Sequence, residues 1–179
     1  MPSEPPTARD AASVLARAPI ALFCSQSCPG DIILKAQDWA NARGPESAPV
    51  IGGFHTPIER DLLRILLRGG APVTLVLARA AQGFRMSPAI KAAVATGQAQ
   101  IISPFPPTQT RTTAANAEAR NRHVLTLCES VLIAHASPGG KTEALAHEAV
   151  LLGRTVYAFS SPGNVHLFEL GALPLDESP

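Results

Sequence analysis

Six short apolar segments alternate along this chain with segments that have helical periodicity. Most of the apolar segments contain β-branched residues, and they are apolar throughout instead of alternating with polar residues. That pattern is typical of parallel strands covered on both faces by helices. The predicted strands are Ile20–Cys24, Pro49–Ile51, Val73–Leu77, Gln100–Ser103, Ser130–Ala134 and Thr155–Phe159.

Repeated alternation of strand and helix, with right-handed crossovers, predicts one α/β domain. We expect a Rossmann-like, doubly wound and mainly parallel sheet of about six strands, with helices on both faces. Helix starts support this division: Thr56-Pro57-Ile58-Glu59 has the form of a capping box with proline at the first helical position. We expect the domain to span residues 18–175, between a flexible arm at 1–17 and a frayed tail at 176–179.

Composition limits the functional classes. The net charge of +1 argues against a protein that coats nucleic acid with its whole surface. The three cysteines form a sparse, odd set, which favours reduced thiols in a cytoplasmic protein. They lack the paired spacing of a zinc site, and no apolar run approaches the roughly 20 residues of a membrane span. We therefore expect no metal site, no cofactor and no membrane partner.

A glycine-rich loop follows the fifth predicted strand and begins a helix. It reads Ser137-Pro138-Gly139-Gly140-Lys141-Thr142-Glu143. Glycines let backbone N–H groups approach an oxygen closely, and the helix N-terminus adds partial positive charge to that of Lys141. The loop therefore predicts a site for phosphate or another anion. Neither the Walker spacing nor Gly-x-Gly-x-x-Gly is present, so the sequence does not predict nucleotide hydrolysis or NAD or FAD binding.

Other polar and glycine residues fall at the carboxyl ends of predicted strands, where such a fold binds ligands. The pair Gly52-Gly53 predicts either a close backbone approach to a ligand or a tight turn into a helix. Arg120, Asn121 and Arg122 precede the glycine loop on a long helix. Residues at i and i+2 do not share a helical face, so one arginine can point to the site while the other meets solvent or a partner subunit. The remaining candidates at this edge are Phe54, His55, Arg79 and Asn164.

The order of these motifs resembles that of the DNA-processing protein A (DprA/Smf) family, and more closely that of its short single-domain relatives, from about Ile20 to Leu175. The resemblance implies a Rossmann-like core that binds single-stranded DNA, forms a homodimer and loads a recombinase during natural transformation. It also implies phosphate contacts at Gly52, Gly53, Arg120, Asn121, Arg122 and the loop from Ser137 to Thr142.

Two alternatives stay open from the sequence. The chain is also similar in motif order to nucleotide phosphoribohydrolases of the lysine-decarboxylase-like (LOG) type, which Arg120 and Pro138-Gly139-Gly140 match. Cleavage of an N-glycosidic bond needs a carboxylate, but Leu145 stands where that family has its glutamate, and Glu143 is the nearest acid. The third reading is a nucleotide-sensing regulatory domain. We assign no catalytic residue and predict a binding protein for single-stranded DNA or a nucleotide.

Overall fold

The computed structural model describes residues 17–175, so most of the predicted arm and all of the predicted tail lie outside the described residues. All strands pair in parallel in one sheet of order β4-β3-β2-β1-β5-β6-β7. They are β1 (Ile20–Cys24), β2 (Val50–Gly52), β3 (Val73–Val76), β4 (Ala99–Ile102), β5 (Ser130–His135), β6 (Thr155–Ala158) and β7 (Leu173–Pro174).

Helices connect the strands and begin where the capping residues predict. Thr56 accepts from the Glu59 N–H and Glu59 reaches back to the Thr56 N–H, which completes the capping box. The helices of the described part are α1 (Gly30–Asn41), α2 (Pro57–Arg68), α3 (Pro88–Ala95), α4 (Ala114–Thr126), α5 (Lys141–Leu151) and α6 (Val165–Glu169). Within residues 17–175, none of them is long and apolar enough to cross a bilayer.

Two hydrophobic cores cover the two faces of the sheet. Successive strand residues point to opposite faces, so Leu22 packs in one core while its neighbour Phe23 packs in the other. The first core joins the sheet to α1, α2 and α3, and the second joins it to α4, α5 and α6. The predicted doubly wound α/β fold is therefore confirmed.

The sheet has one strand more than the six predicted. β7 is two residues long, and it pairs with Tyr157 and Ala158 at the edge of the sheet. Both of its residues are exposed and one is Pro174, a residue that sheets tolerate at an edge. Such a segment has no periodicity to detect, because its pairing with β6 alone defines it as a strand.

The order of the strands reverses between β1 and β5. The chain adds β2, β3 and β4 on one side of β1 and then returns to place β5 on the other side. The two strand ends are joined there, since Ser25 donates its N–H to the His135 carbonyl (2.9 Å) and accepts the Ser137 N–H at its hydroxyl (2.9 Å). Doubly wound sheets bind ligands at this kind of switch point.

The apolar stripe of α2, from Leu62 to Leu67, is a core surface. Leu62, Leu63 and Leu66 are buried against the sheet. This stripe was the candidate surface for a dimer, and the fold already uses those three side chains for its own packing.

A buried amide holds the ends of β5 and β6 together. The Asn164 side chain is fully buried and donates to the carbonyls of Ala134 (2.9 Å) and Phe159 (3.0 Å). Those two acceptors fix the orientation of the amide, so its oxygen faces Nδ1 of His135 at 3.0 Å and that nitrogen carries the proton. Asn164, a predicted contact for phosphate, therefore has its polar atoms engaged inside the fold.

We expect Asn164→Ala to lower the free energy of unfolding by about 2–4 kcal/mol, because it leaves several buried polar groups without partners. Urea denaturation of the variant beside wild type measures this loss. Asn41→Ala is the matched control, since the Asn41 amide bonds Arg68 at the surface and its removal costs about 0.5 kcal/mol or less. Equal stabilities for the Asn164 variant and wild type would contradict the role given to this network.

Candidate anion-binding cleft

A cleft of about 540 Å³ opens over the carboxyl ends of β1 and β5. Its walls are the loop after β1, the start of α2, one side of α4 and the first turn of α5. The structure therefore brings together predicted residues from three separate segments: His55, Arg120, Asn121, Arg122, Ser137, Gly140, Lys141 and Thr142. We call it the first cleft.

The buried carboxylate of Glu59 forms part of the floor. It accepts backbone N–H groups from Cys24 (2.9 Å), His55 (2.7 Å) and Thr56 (3.2 Å). Bonds to a charged acceptor are stronger than neutral ones. Glu59 therefore fixes the end of β1 to the loop that begins α2, and it holds His55 at the rim.

Arg120 projects from α4 into the wall of the cleft and is buried. Its Nη1 donates to the Val76 carbonyl at 3.0 Å, and its Nε donates to the Asn121 side-chain oxygen at 2.8 Å. Burial lowers the pKa of Arg120, while the nearby charge of Glu59 acts in the opposite direction. A guanidinium has an ordinary pKa so high that it stays charged here, so the wall of the cleft carries a fixed positive group.

The glycine pair after β2 makes room for internal contacts. A Cβ on Gly53 would lie 2.0 Å from Nη1 of Arg120, and a Cβ on Gly52 would lie 3.0 Å from the Leu22 carbonyl oxygen. The close approach that the sequence indicated at Gly53 is thus made by the guanidinium of Arg120.

Several predicted site residues lie away from the first cleft. Phe54 adopts a left-handed conformation (φ 48°), which is uncommon without glycine, and its ring is buried in a core. Asn164 is enclosed as described above, and Arg79 lines a different cleft. Gly52, Gly53, Pro138 and Gly139 are likewise absent from the walls of the first cleft.

The glycine loop already binds an anionic group of its own chain. Gly139 has a positive φ of 72° and donates its N–H to the carboxylate of Glu143. The Gly140 N–H donates to the Ser137 carbonyl at 2.9 Å, and a Cβ on Gly140 would lie 2.9 Å from that same oxygen. Negative charge is favourable at a helix N-terminus, and Glu143 supplies it in this structure.

The two flexible cations of the first cleft are paired with acids across the α4–α5 boundary. Lys141 of α5 contacts Glu118 of α4, and Arg122 of α4 contacts Glu148 of α5 at 3.1 Å. Hydrogen bonding and charge from Lys141 lower the pKa of Glu118. The Lys141 side chain is 74% exposed, and exposed ion pairs of this kind contribute little to stability. An incoming anion can therefore compete for both cations.

Sequence reasoning missed the acids of this cleft. Glu59 was identified as a capping residue alone, and its bonds to Cys24 and His55 arise only when β1 lies beside the start of α2. The pairing of Glu118 with Lys141 likewise depends on how α4 packs beside α5. Helical spacing within one element carries no signal for either contact.

Two of the three cysteines lie together below the loop after β1. A hydrogen bond with Cys28, followed by burial, raises the pKa of the Cys24 thiol, and the same bond lowers the pKa of Cys28. Burial raises the pKa of Cys128 to about 11. Within residues 17–175, no group of three or more His, Cys, Asp or Glu side chains is arranged to hold a metal ion.

We expect Cys28 to be the first cysteine alkylated by iodoacetamide at neutral pH, because the thiolate is the reactive form and a lowered pKa increases its fraction. Its rate should level off at a lower pH than that of an ordinary thiol, while Cys128 stays protonated. Peptide mass spectrometry at several pH values measures the order. The denatured protein is the control, in which all three thiols react alike. Faster alkylation of Cys24 or Cys128 in the folded protein would refute the assignment.

We expect Gly53→Ala to displace the Arg120 guanidinium from the Val76 carbonyl and to cost about 1–3 kcal/mol of stability. The cost should shrink in an Arg120→Ala background, where the new methyl group meets no guanidinium. Urea unfolding of the two single variants and the double variant gives the coupling. Gly30→Ala is the control, because a Cβ there meets nothing within 4 Å. Additive effects would show that the two residues are independent.

No protein-family model matches this chain, and no curated protein sequence matches it. Solved structures do match. DNA processing protein A (DprA) from Streptococcus pneumoniae aligns with a TM-score of 0.73 at 20% identity, over 91% of this chain and 60% of that chain. DprA from Helicobacter pylori, described for its single-stranded DNA binding mode, aligns with a TM-score of 0.75 at 15% identity, over 91% of this chain and 78% of that chain.

A third match, the molybdenum cofactor carrier protein from Chlamydomonas reinhardtii, has a TM-score of 0.53 at 11% identity and covers 87% of this chain and 85% of that chain. This chain thus spans 60% of the length of the S. pneumoniae protein. At these identities the likeness concerns the fold. The resemblance to DprA read from the sequence is confirmed at that level: the chain has the Rossmann-like fold of the two matched DprA structures.

Proposed function

We propose that this chain is a DprA-like protein that binds single-stranded DNA, or a nucleotide, through its phosphates in the first cleft and without catalysis. One observation carries the proposal: the cleft at the switch point of the sheet gathers Arg120, Arg122 and Lys141. The printed description of the H. pylori structure, which concerns single-stranded DNA, supports DNA as the ligand.

In this proposal a phosphate binds at the first turn of α5. Lys141 leaves Glu118 and contacts the phosphate, the Thr142 hydroxyl donates a hydrogen bond, and the helix N-terminus adds its partial positive charge. Arg122 leaves Glu148 and binds the next phosphate with its planar fork. Arg120 stays in the wall as a fixed charge, since its bonds to Val76 and Asn121 hold it there.

The partners of the acids in the first cleft support binding without chemistry. A glycosidic hydrolase needs a carboxylate that can stabilise an oxocarbenium ion or activate water. Glu59 accepts three backbone N–H groups, Glu118 and Glu148 pair with cations, and Glu143 holds the Gly139 N–H. Each of these acids has a partner that a catalytic role would require it to leave.

A mononucleotide is the second candidate ligand. The volume of about 540 Å³ falls within the range of small-molecule sites, so one nucleotide fits the first cleft without a longer strand. A nucleotide-sensing domain and a LOG-like hydrolase both follow from this ligand, and turnover separates them. Release of free base from a nucleoside monophosphate, lost in Glu143→Gln, would support the hydrolase.

The assembly belongs to the proposal as well. We propose a homodimer and, following the family resemblance, contact with a recombinase. The buried stripe of α2 directs the search for the dimer surface to other parts of the molecule. Light scattering of the purified protein measures its mass in solution, and a monomer at all concentrations would refute the dimer.

We expect salt-sensitive binding of a labelled single strand of about 20 nucleotides, measured by fluorescence anisotropy at two salt concentrations. Lys141→Ala should weaken binding several-fold and flatten the salt dependence by about one contact. Lys91→Ala is the matched control, because Lys91 is exposed on α3 and lines neither cleft. No DNA binding at micromolar protein, with binding of a mononucleotide, would move the function to the sensor or the hydrolase.

We expect Glu118→Gln to tighten binding of the same strand several-fold, because it removes the acid that competes with phosphate for Lys141. The gain should disappear in a Lys141→Ala background, since the freed cation is then missing. Glu129→Gln is the control: it removes the same charge at the amino end of β5, on the opposite edge of the sheet. An unchanged or weaker affinity for Glu118→Gln would place the phosphate elsewhere.

A further inference from the structure

A second cleft, of about 400 Å³, opens at the same edge of the sheet over the ends of β2 and β3. It lies between α2 and α3 and has an apolar floor. The floor consists of Leu63, Leu67, Leu75, Leu77, Phe84 and Ile90. Phe84 is half-buried, so part of its ring faces the cleft.

Arginines surround this floor. Arg60, Arg64, Arg79 and Arg120 line the second cleft, and among the described residues no Asp or Glu lines it. The first cleft differs, because Glu59, Glu118 and Glu148 stand among its cations. The second cleft therefore presents the stronger local positive charge on a chain whose net charge is only +1.

The arginines of this rim differ in how they are held. Arg64 pairs with Asp61 on its own helix at 2.8 Å. Arg79 donates to the carbonyls of Ala80 and Gln82 at 3.4 Å each, which is long for a hydrogen bond. Arg60 is exposed. Arg60 and Arg79 thus keep charge that no carboxylate lining the cleft neutralises.

This combination suits a nucleotide. An arginine fork binds phosphate oxygens in pairs, and an aromatic ring beside aliphatic side chains accepts the flat face of a base. A phosphate ion alone would leave the apolar floor in water, and a purely apolar ligand would leave the arginines without partners. A ligand with a base and a phosphate uses both parts.

The two clefts are neighbours. Arg120 and His55 line both of them, so the guanidinium that fills the space above Gly53 forms the ridge between them. A single strand that crosses this ridge has phosphate partners on each side: Lys141 and Arg122 in the first cleft, and Arg60 and Arg79 in the second.

We infer that the second cleft binds the nucleotides that follow those in the first cleft along the same single strand, with phosphates on Arg60 and Arg79 and a base against Phe84. This inference rests on the proposed function. It assigns the arginines of α2 and of the loop after β3 to ligand binding, and it makes the affinity depend on the length of the strand.

The test compares labelled oligothymidylates of about 4 and about 16 nucleotides, the range of single-strand site sizes, by anisotropy at several salt concentrations. We expect Arg60→Gln with Arg79→Gln to weaken binding of the long strand about tenfold or more and to flatten its salt dependence by about 1.4, at roughly 0.7 per phosphate contact. Binding of the short strand should not change. Arg60→Gln alone, at an exposed position, should give about half of the loss in slope.

Two further variants separate the contributions. Phe84→Ala should weaken binding of the long strand with its salt dependence unchanged, because stacking releases no counterions. Arg68→Gln is the matched charge control: it lies at the other end of α2, where it bonds Asn41. An equal loss of long-strand affinity in Arg68→Gln would show that net charge alone matters and would overturn the inference.

The remaining outcomes separate the two claims. Wild-type protein that binds neither strand would refute the proposed function itself. Wild-type protein that binds both strands, with the long strand unaffected by the double arginine change, would overturn the second cleft and leave the first intact. Equal weakening of both lengths would also overturn it, because the second cleft would then not be an extension of the first.

Discussion

Two buried charges at the carboxyl edge of the sheet hold the site together. Glu59 gathers the backbone N–H groups of the β1 end and of the loop before α2, while Arg120 ties α4 to the Val76 carbonyl across Gly53. Removing one partner of a buried charged network leaves an uncompensated charge, which is far more costly than losing an exposed pair. The positions of His55, Asn121, Arg122 and Glu118 follow from these two anchors, since they lie on the elements that Glu59 and Arg120 fix.

Around these anchors the protein carries two kinds of positive charge. In the first cleft Lys141 and Arg122 are paired with acids of the neighbouring helix, so a ligand binds there by exchange. In the second cleft Arg60 and Arg79 stand over an apolar floor without an acid in its lining. Exchange makes the first cleft selective for anions that outcompete a carboxylate, and the unpaired arginines add attraction along a longer ligand. A chain of nearly neutral net charge can bind a polyanion in this way.

Much of the fold was predictable because its signals are local. Apolar, β-branched runs identified six of the strands to within about a residue at each end, and Thr56 with Glu59 marked the start of α2. β7 was missed because Leu173 and Pro174 become a strand only by pairing with β6. Asn164 shows the complementary case. Its place after β6 was right for the carboxyl edge, yet its amide turns inward to Ala134 and Phe159.

The sequence by itself determined the class of the fold and the edge where a ligand would bind, since strand pattern, capping and glycine loops act over a few neighbouring residues. The pairing of Lys141 with Glu118, the filling of the Gly53 space by Arg120 and the grouping of Arg60 with Arg79 were decided only by tertiary structure. Each of these contacts joins residues far apart in the chain or on different elements. Their distances depend on how helices pack on the two faces of the sheet, and no local periodicity encodes that packing.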